Sequence, residues 1–216
     1  MKIQTVLSFL LFALLAACAP APSTDAPSAP AEATPEPTEA PPAAPAVSPQ
    51  DEFWQHITDL CGKAFGGDMV TDDPRDADFV GWAFYMHVRR CSEDRIEIPF
   101  TIGEDRSRTW VLTRTEAGLK LEHDHRHEDG TPDKVTLYGG TAKEPGTATL
   151  QEFPVDNYTH ELFEVNELID SMLNVWSLEI VPGERFSYIL KRPGRYFRAD
   201  FDLQFEVPAP PPPWGH

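Results

Sequence analysis

The sequence predicts a mainly β fold: an antiparallel meander, closed into a barrel or folded as a sandwich, with an N-terminal helix and one helical insert. Three observations predict it. Beyond Phe79 apolar residues recur with period two, the signature of strands that bury one face. Turn pairs punctuate the alternation at Ala117-Gly118, Asp129-Gly130, Pro182-Gly183 and Pro193-Gly194. Helical spacing is confined to the stretch after Ser48 and to Tyr158–Leu173.

The helix comes first. Ser48 is suited to cap it, and Pro49 to occupy its first position, where a missing N–H costs nothing. Phe53, Trp54, Ile57, Leu60, Cys61 and Phe65 fall on one face, and Gly66-Gly67 is expected to end it. Strands are then expected at Phe79 to Val88, Arg95 to Ile102, Arg108 to Thr115, Leu119 to His127, Lys134 to Tyr138, Thr147 to Phe153, Val175 to Val181, Phe186 to Leu190 and Tyr196 to Leu203. Trp82, Phe84 and Met86 read as core. So many short strands joined by tight turns favour closure, because closure removes exposed strand edges. A closed barrel with a helix across one end is a calycin-like arrangement, and that is the architecture expected here.

The chain ahead of this domain has a different composition. Lys2 is the only charge in the first 18 residues, an apolar run spans Val6 to Leu15, and Leu15-Ala16-Ala17-Cys18 follows. The run is too short to span a bilayer and has the charged start and small-residue end of a signal peptide. It resembles the signal peptide and lipobox of bacterial lipoproteins. The resemblance implies cleavage after residue 17, lipidation of Cys18 and a membrane partner. Ala19, rather than Asp, after the cysteine favours the outer membrane. Residues 18–50 are then the lipidated Cys18 and a linker almost entirely of Ala, Pro, Thr, Ser and Glu with no aromatic and no basic residue. Such a segment buries too little apolar surface to fold, and its prolines favour an extended spacer reaching at most about 90 Å. Residues 51–208 form one β-rich domain, and 209–216 a Pro-rich tail. That tail is a ligand for a proline-binding module, a disordered end, or a strap packed across a sheet edge through Trp214.

The formal net charge is -17. A surface this acidic argues against nucleic acid and against flat adsorption on anionic lipid. No P-loop, no G-x-G-x-x-G and no G-x-S-x-G occurs, and Ser107 and Ser187 lack the setting of a nucleophile. No catalytic residue is identified, and the chain reads as a binding protein before an enzyme.

Cys61 and Cys91 are the cysteines of the folded part. An oxidising envelope makes a disulfide the expected state, with free thiols or a metal pair as alternatives. In the chain-entropy account a closed loop of about 30 residues stabilises by roughly 3–4 kcal/mol.

The candidate ligand site is the run Leu119-Lys120-Leu121-Glu122-His123-Asp124-His125-Arg126-His127. In a strand, alternate residues share a face. His123, His125 and His127 therefore continue the apolar face of Leu119 and Leu121 and point into the barrel or its mouth. Lys120, Glu122, Asp124 and Arg126 face water. Neighbouring imidazoles on one face, about 6.8 Å apart, can converge on one zinc; those about 13.6 Å apart cannot. A site on His123 and His125 would need a third ligand, such as His87, Glu97 or Glu152. Three readings stand: a hydrogen-bonded polar rim, polar contacts to a small ligand, or a zinc site. Two arginines, Arg106 and Arg108, open the preceding strand, placed to clamp an anion or to pair with the acidic surface.

Leu60-Cys61-Gly62-Lys63-Ala64-Phe65, the Asp105–Leu112 run and the Glu122–Gly130 run resemble an uncharacterised family of bacterial secreted and lipid-anchored proteins. The resemblance implies an envelope location and a single domain, and assigns no residue a role. The function expected is a lipid-anchored envelope protein that binds a small ligand in a barrel-like cavity. The alternatives are a protein–protein interaction module of the envelope and a metal-dependent hydrolase built on His123 and His125.

Overall fold

A computed structural model of the chain describes residues 47–215. Residues 1–46, on which the expected signal peptide, Cys18 and most of the expected linker fall, lie outside the described residues.

Helix α1 (Pro49–Thr58) starts as its sequence dictates: the Asp51 N–H donates to Ser48 Oγ at 3.1 Å, Pro49 fills the first turn, and Asp51 and Glu52 complement the helix dipole. Phe53, Trp54 and Ile57 are buried. The helix ends well before Gly66-Gly67. Gly62, at φ +83°, reverses the chain, and strand β1 (Ala64–Met69) follows, with both glycines inside it. The expectation that this glycine pair stops a helix is thus corrected. A Cβ on Gly67 would lie 2.3 Å from the Asp200 carbonyl oxygen and 2.5 Å from the Phe201 ring, so glycine serves close strand approach here. Cys61 consequently sits in an exposed turn rather than on the buried face of the helix.

The remaining strands are β2 (Phe84–His87), β3 (Arg90–Cys91), β4 (Arg95–Ile102), β5 (Asp105–Thr115), β6 (Gly118–His125), β7 (Tyr138–Thr141), β8 (Leu150–Pro154), β9 (Val175–Val181), β10 (Arg185–Arg192) and β11 (Arg195–Val207). All pair antiparallel in one 11-stranded sheet of order β7-β6-β5-β4-β2-β1-β11-β10-β9-β8, with β3 beside β4. The first strand thus pairs with the last, and the sheet curls into a nearly closed barrel. Its ends meet where β7 abuts the exit of β8: the Asp156 N–H donates to the Gly139 carbonyl at 3.1 Å, and a Cβ on Gly140 would lie 1.8 Å from the Pro154 oxygen. Helix α2 (Asn157–Val165) seals the seam, its buried Thr159 exchanging hydrogen bonds with Gly139 at 2.7 and 2.9 Å.

Alternation located most strands to within a few residues, and β4 and β9 match their expected spans. Elsewhere the structure corrects the boundaries. The expected strand at Phe79 begins only at Phe84, because Asp73 caps a 3-10 helix over Pro74–Phe79 and Gly81 turns at φ +83°. Trp82 is therefore 56% exposed, whereas Phe84 and Met86 are core. The strand expected at Lys134–Tyr138 starts at Tyr138. The helical insert breaks at Glu167, which adopts φ +60°, into α2 and a 3-10 helix over Ile169–Leu173.

The barrel interior is filled with side chains. Trp110 stacks between Phe100 and Tyr188, with ring centroids 4.7 and 4.6 Å away, and Phe186 and Phe201 pack beyond them. Outside, a disulfide joins Cys61 to Cys91 with Cα atoms 6.3 Å apart, tying the turn after α1 to β3.

Candidate functional site at the barrel mouth

The filled interior opens at one end. A cavity of about 220 Å³ there is lined by Trp110, His123, His125, Tyr138, Tyr188 and Arg108, among others. A neighbouring cleft of about 380 Å³ shares Tyr138, Tyr188, Leu190 and Arg195 with it and adds Arg75 and Arg192.

The histidine strand has the expected register. Leu119, Leu121 and His123 are buried, and His125 follows at the mouth. The energetic reason is that a one-residue slip would bury Lys120 and Glu122 in exchange for exposing two leucines. His127 is corrected: β6 ends at His125, and the His127 ring lies outside the cavity, 58% exposed and 3.9 Å from Asp133. Asp124 is on the outer face but is not solvated. It is 5% exposed, accepts from Arg126 Nε at 3.0 Å, and meets Thr136 Oγ1 at 3.3 Å. The segment after β6 folds back over it, which alternation within one strand does not reveal.

His123 is fully engaged. Its Nδ1 donates to the Tyr138 carbonyl at 3.0 Å, since a carbonyl only accepts; Nε2 therefore accepts from the Tyr188 hydroxyl at 2.8 Å. Its ring stacks on Tyr138, with centroids 4.7 Å apart. Burial, reinforced by neighbouring His125, pushes its pKa down to about 3. Burial also pushes His125 down to about 4, with the Arg108 charge adding to the shift. His125 Nε2 shares a hydrogen bond with the Tyr138 hydroxyl at 3.0 Å, and burial raises the Tyr138 phenol to about 12. The mouth thus presents neutral imidazoles and neutral phenols.

These residues do not fit a zinc ion. Neither ring nitrogen of His123 is left for a metal, and among the described residues no cluster of three or more His, Cys, Asp or Glu is placed to hold one. Of the suggested third ligands, Glu97 pairs with Arg90 and Arg95, and Glu152 with Lys191. Cys61 and Cys91 are joined to each other, which removes the metal-pair alternative for them.

Charge at the mouth comes from arginines, a feature the sequence signalled only at Arg108. That side chain pairs with Asp105 at 2.5 Å and leans over the Phe79 ring. Arg195 donates to both oxygens of Asp76, from Nη1 at 2.6 Å and Nη2 at 2.5 Å, and reaches Asp73 at 3.3 Å. Arg75 also pairs with Asp73. Arg192 donates through Nη1 to Ser171 Oγ at 2.9 Å and Asn174 Oδ1 at 3.0 Å, both uncharged. Pairs at β11 and the 3-10 helix, remote from one another in sequence, could not be foreseen from spacing.

Arg106 does something else. It donates through Nη1 to the Pro212 carbonyl at 2.9 Å, and its own carbonyl accepts from the Trp214 N–H at 3.1 Å. The Pro-rich tail therefore lies along the start of β5, with Pro213 buried. The tail is packed against the domain, though along the start of β5, which pairs on both sides, rather than across a sheet edge.

No protein-family model matches the chain, and neither a curated protein nor a solved structure matches it.

Proposed function

We propose that the chain is a lipid-anchored bacterial envelope protein that holds a small ligand at the mouth of its barrel. The observation that carries the ligand reading is the cavity of about 220 Å³ in which a Trp110 and Tyr188 floor meets the polar edges of His125, Tyr138 and Arg108. Apolar walls with a few convergent polar groups are what small-molecule sites are made of. Anchoring rests on Leu15-Ala16-Ala17-Cys18 after an apolar run, followed by a Pro-rich stretch whose composition suits a spacer.

Leu190 lines both the cavity and the adjoining cleft, so Leu190→Trp blocks the mouth. Native mass spectrometry of the chain from envelope extracts is expected to show a bound small molecule that Leu190→Trp lacks. Identical spectra for the two would refute the ligand reading. Cys18→Ser is expected to release the chain from membranes or block its processing; unchanged membrane fractionation would refute the anchor.

One observation favours an interaction module instead. Trp82 and Val80 are 56% and 68% exposed beside a groove of about 600 Å³ that also carries Asp68, Asp72 and Asp73. Exposed apolar groups rimmed by polar ones mark contact surfaces. A photo-crosslinker at Val80 in intact cells would give discrete protein adducts under this reading and none under the first.

A further inference from the structure

The two hollows at the mouth share an electrostatic property that the chain as a whole lacks. No residue lining either of them is acidic, yet four arginines do line them: Arg75, Arg108, Arg192 and Arg195. This occurs in a chain of formal net charge -17. The groove beside Trp82 shows the opposite, with Asp68, Asp72 and Asp73 in its wall and no basic residue.

The arginines are not all consumed by their partners. Arg75 and Arg195 are answered by Asp73 and Asp76, and Arg108 by Asp105. Arg192 is answered only by Ser171 and Asn174, and among the described residues it has no carboxylate partner. Each guanidinium has five N–H donors. Among the described residues Arg108 and Arg192 each donate through Nη1 alone, which leaves Nε–H and Nη2–H of both without a protein acceptor. The nearby imidazoles add no charge, because burial keeps His123 and His125 neutral. Edges of Trp110 and Tyr188 line the cavity beside Arg108, and Tyr188 and Leu190 line both hollows.

We propose that the mouth selects an organic anion: a carboxylate or similar acid on an apolar body, the acid drawn by Arg108 in the cavity and Arg192 in the adjoining cleft and the body against Tyr188 and Leu190, which line both. This rests on the reading of the mouth as a ligand site and specifies what that site takes. A planar guanidinium fork matches a carboxylate, and hydrogen bonds between ionised partners are about twice as strong as neutral ones. A cation is disfavoured by Arg192, whose charge no carboxylate answers among the described residues. A neutral ligand offers those N–H donors weaker, uncharged acceptors, and an amide one acceptor oxygen where a carboxylate has two.

The test is equilibrium dialysis of the purified full chain at low salt with two near-isosteric probes, 2-naphthoate and 2-naphthamide, the second uncharged and with one acceptor oxygen replaced by an NH2 group. The full chain is expected to take up 2-naphthoate about tenfold more tightly than 2-naphthamide, the size of effect that charge-assisted hydrogen bonds produce. Arg192→Gln and Arg108→Gln should each reduce that preference to about threefold or less, and Arg192→Lys should retain part of it. Melting curves identify any variant that does not fold. Arg108→Gln is the independent arm, because its Asp105 partner is 40% exposed and solvent can take over the lost contact. Equal binding of the two probes, with Leu190→Trp abolishing both, would overturn the anion preference and leave the ligand site standing. Binding of neither probe would overturn both. Preferential binding of 2-naphthoate that survives Arg192→Gln, Arg108→Gln and Leu190→Trp would place the anion elsewhere and overturn the proposal.

Discussion

Tyr188 donates its phenolic hydrogen to His123 Nε2 across 2.8 Å, linking β10 to β6 through the inside of the barrel. These strands are not neighbours in the sheet, so side chains alone make the connection. The Tyr138 carbonyl, which only accepts, fixes His123 as the Nδ1–H tautomer and leaves Nε2 to accept from Tyr188. This arrangement makes His123 a structural strut and leaves His125 as the imidazole that faces the mouth.

Tyr188→Phe is therefore expected to destabilise the fold by about 1–3 kcal/mol, because it strands a buried acceptor on His123. Urea denaturation checks this. His123→Gln should also lower stability, whereas His125→Gln should have the smaller effect. Equal stability of Tyr188→Phe and the unaltered chain would mean that the hydroxyl is not bonded to His123.

Acid should weaken the fold through the same pair. Folded, His123 and His125 stay neutral down to about 3 and about 4, against an ordinary value of 6.5. Below pH 6.5 the unfolded chain takes up protons that the folded chain does not, so stability is fully present above that pH and falls as pH drops towards 4. Each imidazole contributes a slope of about 1.4 kcal/mol per pH unit in this window. His87, also lowered by burial, acts in the same direction. Unfolding free energies measured between pH 7 and 5 should fall steeply, and less so in His123→Gln. A flat profile over that range would contradict the buried neutral pair.

Loss of the Cys61–Cys91 bridge should cost roughly 3–4 kcal/mol in the chain-entropy account, since it closes a long loop. Non-reducing peptide mass spectrometry should recover the linked pair, and Cys61→Ala with Cys91→Ala should lower the melting temperature. Two freely alkylatable thiols in oxidised protein would disprove the bridge.

Asp76 is 2% exposed and carries the bidentate contact from Arg195, which fastens the 3-10 helix over Pro74–Phe79 to the start of β11. Asp76→Asn leaves a guanidinium with 10% side-chain exposure short of a counter-charge, relieved in part by Asp73 at 3.3 Å. Breaking one side of a buried pair costs about 3–5 kcal/mol, and the remaining aspartate should hold the loss near the lower end. Limited proteolysis is expected to cut first between Thr71 and Ala83 in this variant. Unaltered cleavage would show that the pair does not hold this segment.

Most strands, the helix cap at Ser48, the turns at Gly118, Gly130, Gly183 and Gly194, and the inward face of Leu119, Leu121 and His123 were legible in the sequence, but Ala64–Met69 and Arg90–Cys91 were not. Each depends on neighbours within a few residues: a cap, a period of two, a glycine that admits positive φ. Gly66-Gly67 misled for the same reason, because nothing nearby reveals that Asp200 and Phe201 pack against Gly67. The site depends on partners far apart in the chain. Tyr188 meeting His123, Asp76 meeting Arg195, and Arg192 meeting only Ser171 and Asn174 follow from barrel closure, which sets β10 and β11 against a mouth begun at β5. Local period determined which residues face inward; only the closed sheet decided which of them meet, and so which imidazole is locked and which arginine keeps unspent donors at the mouth.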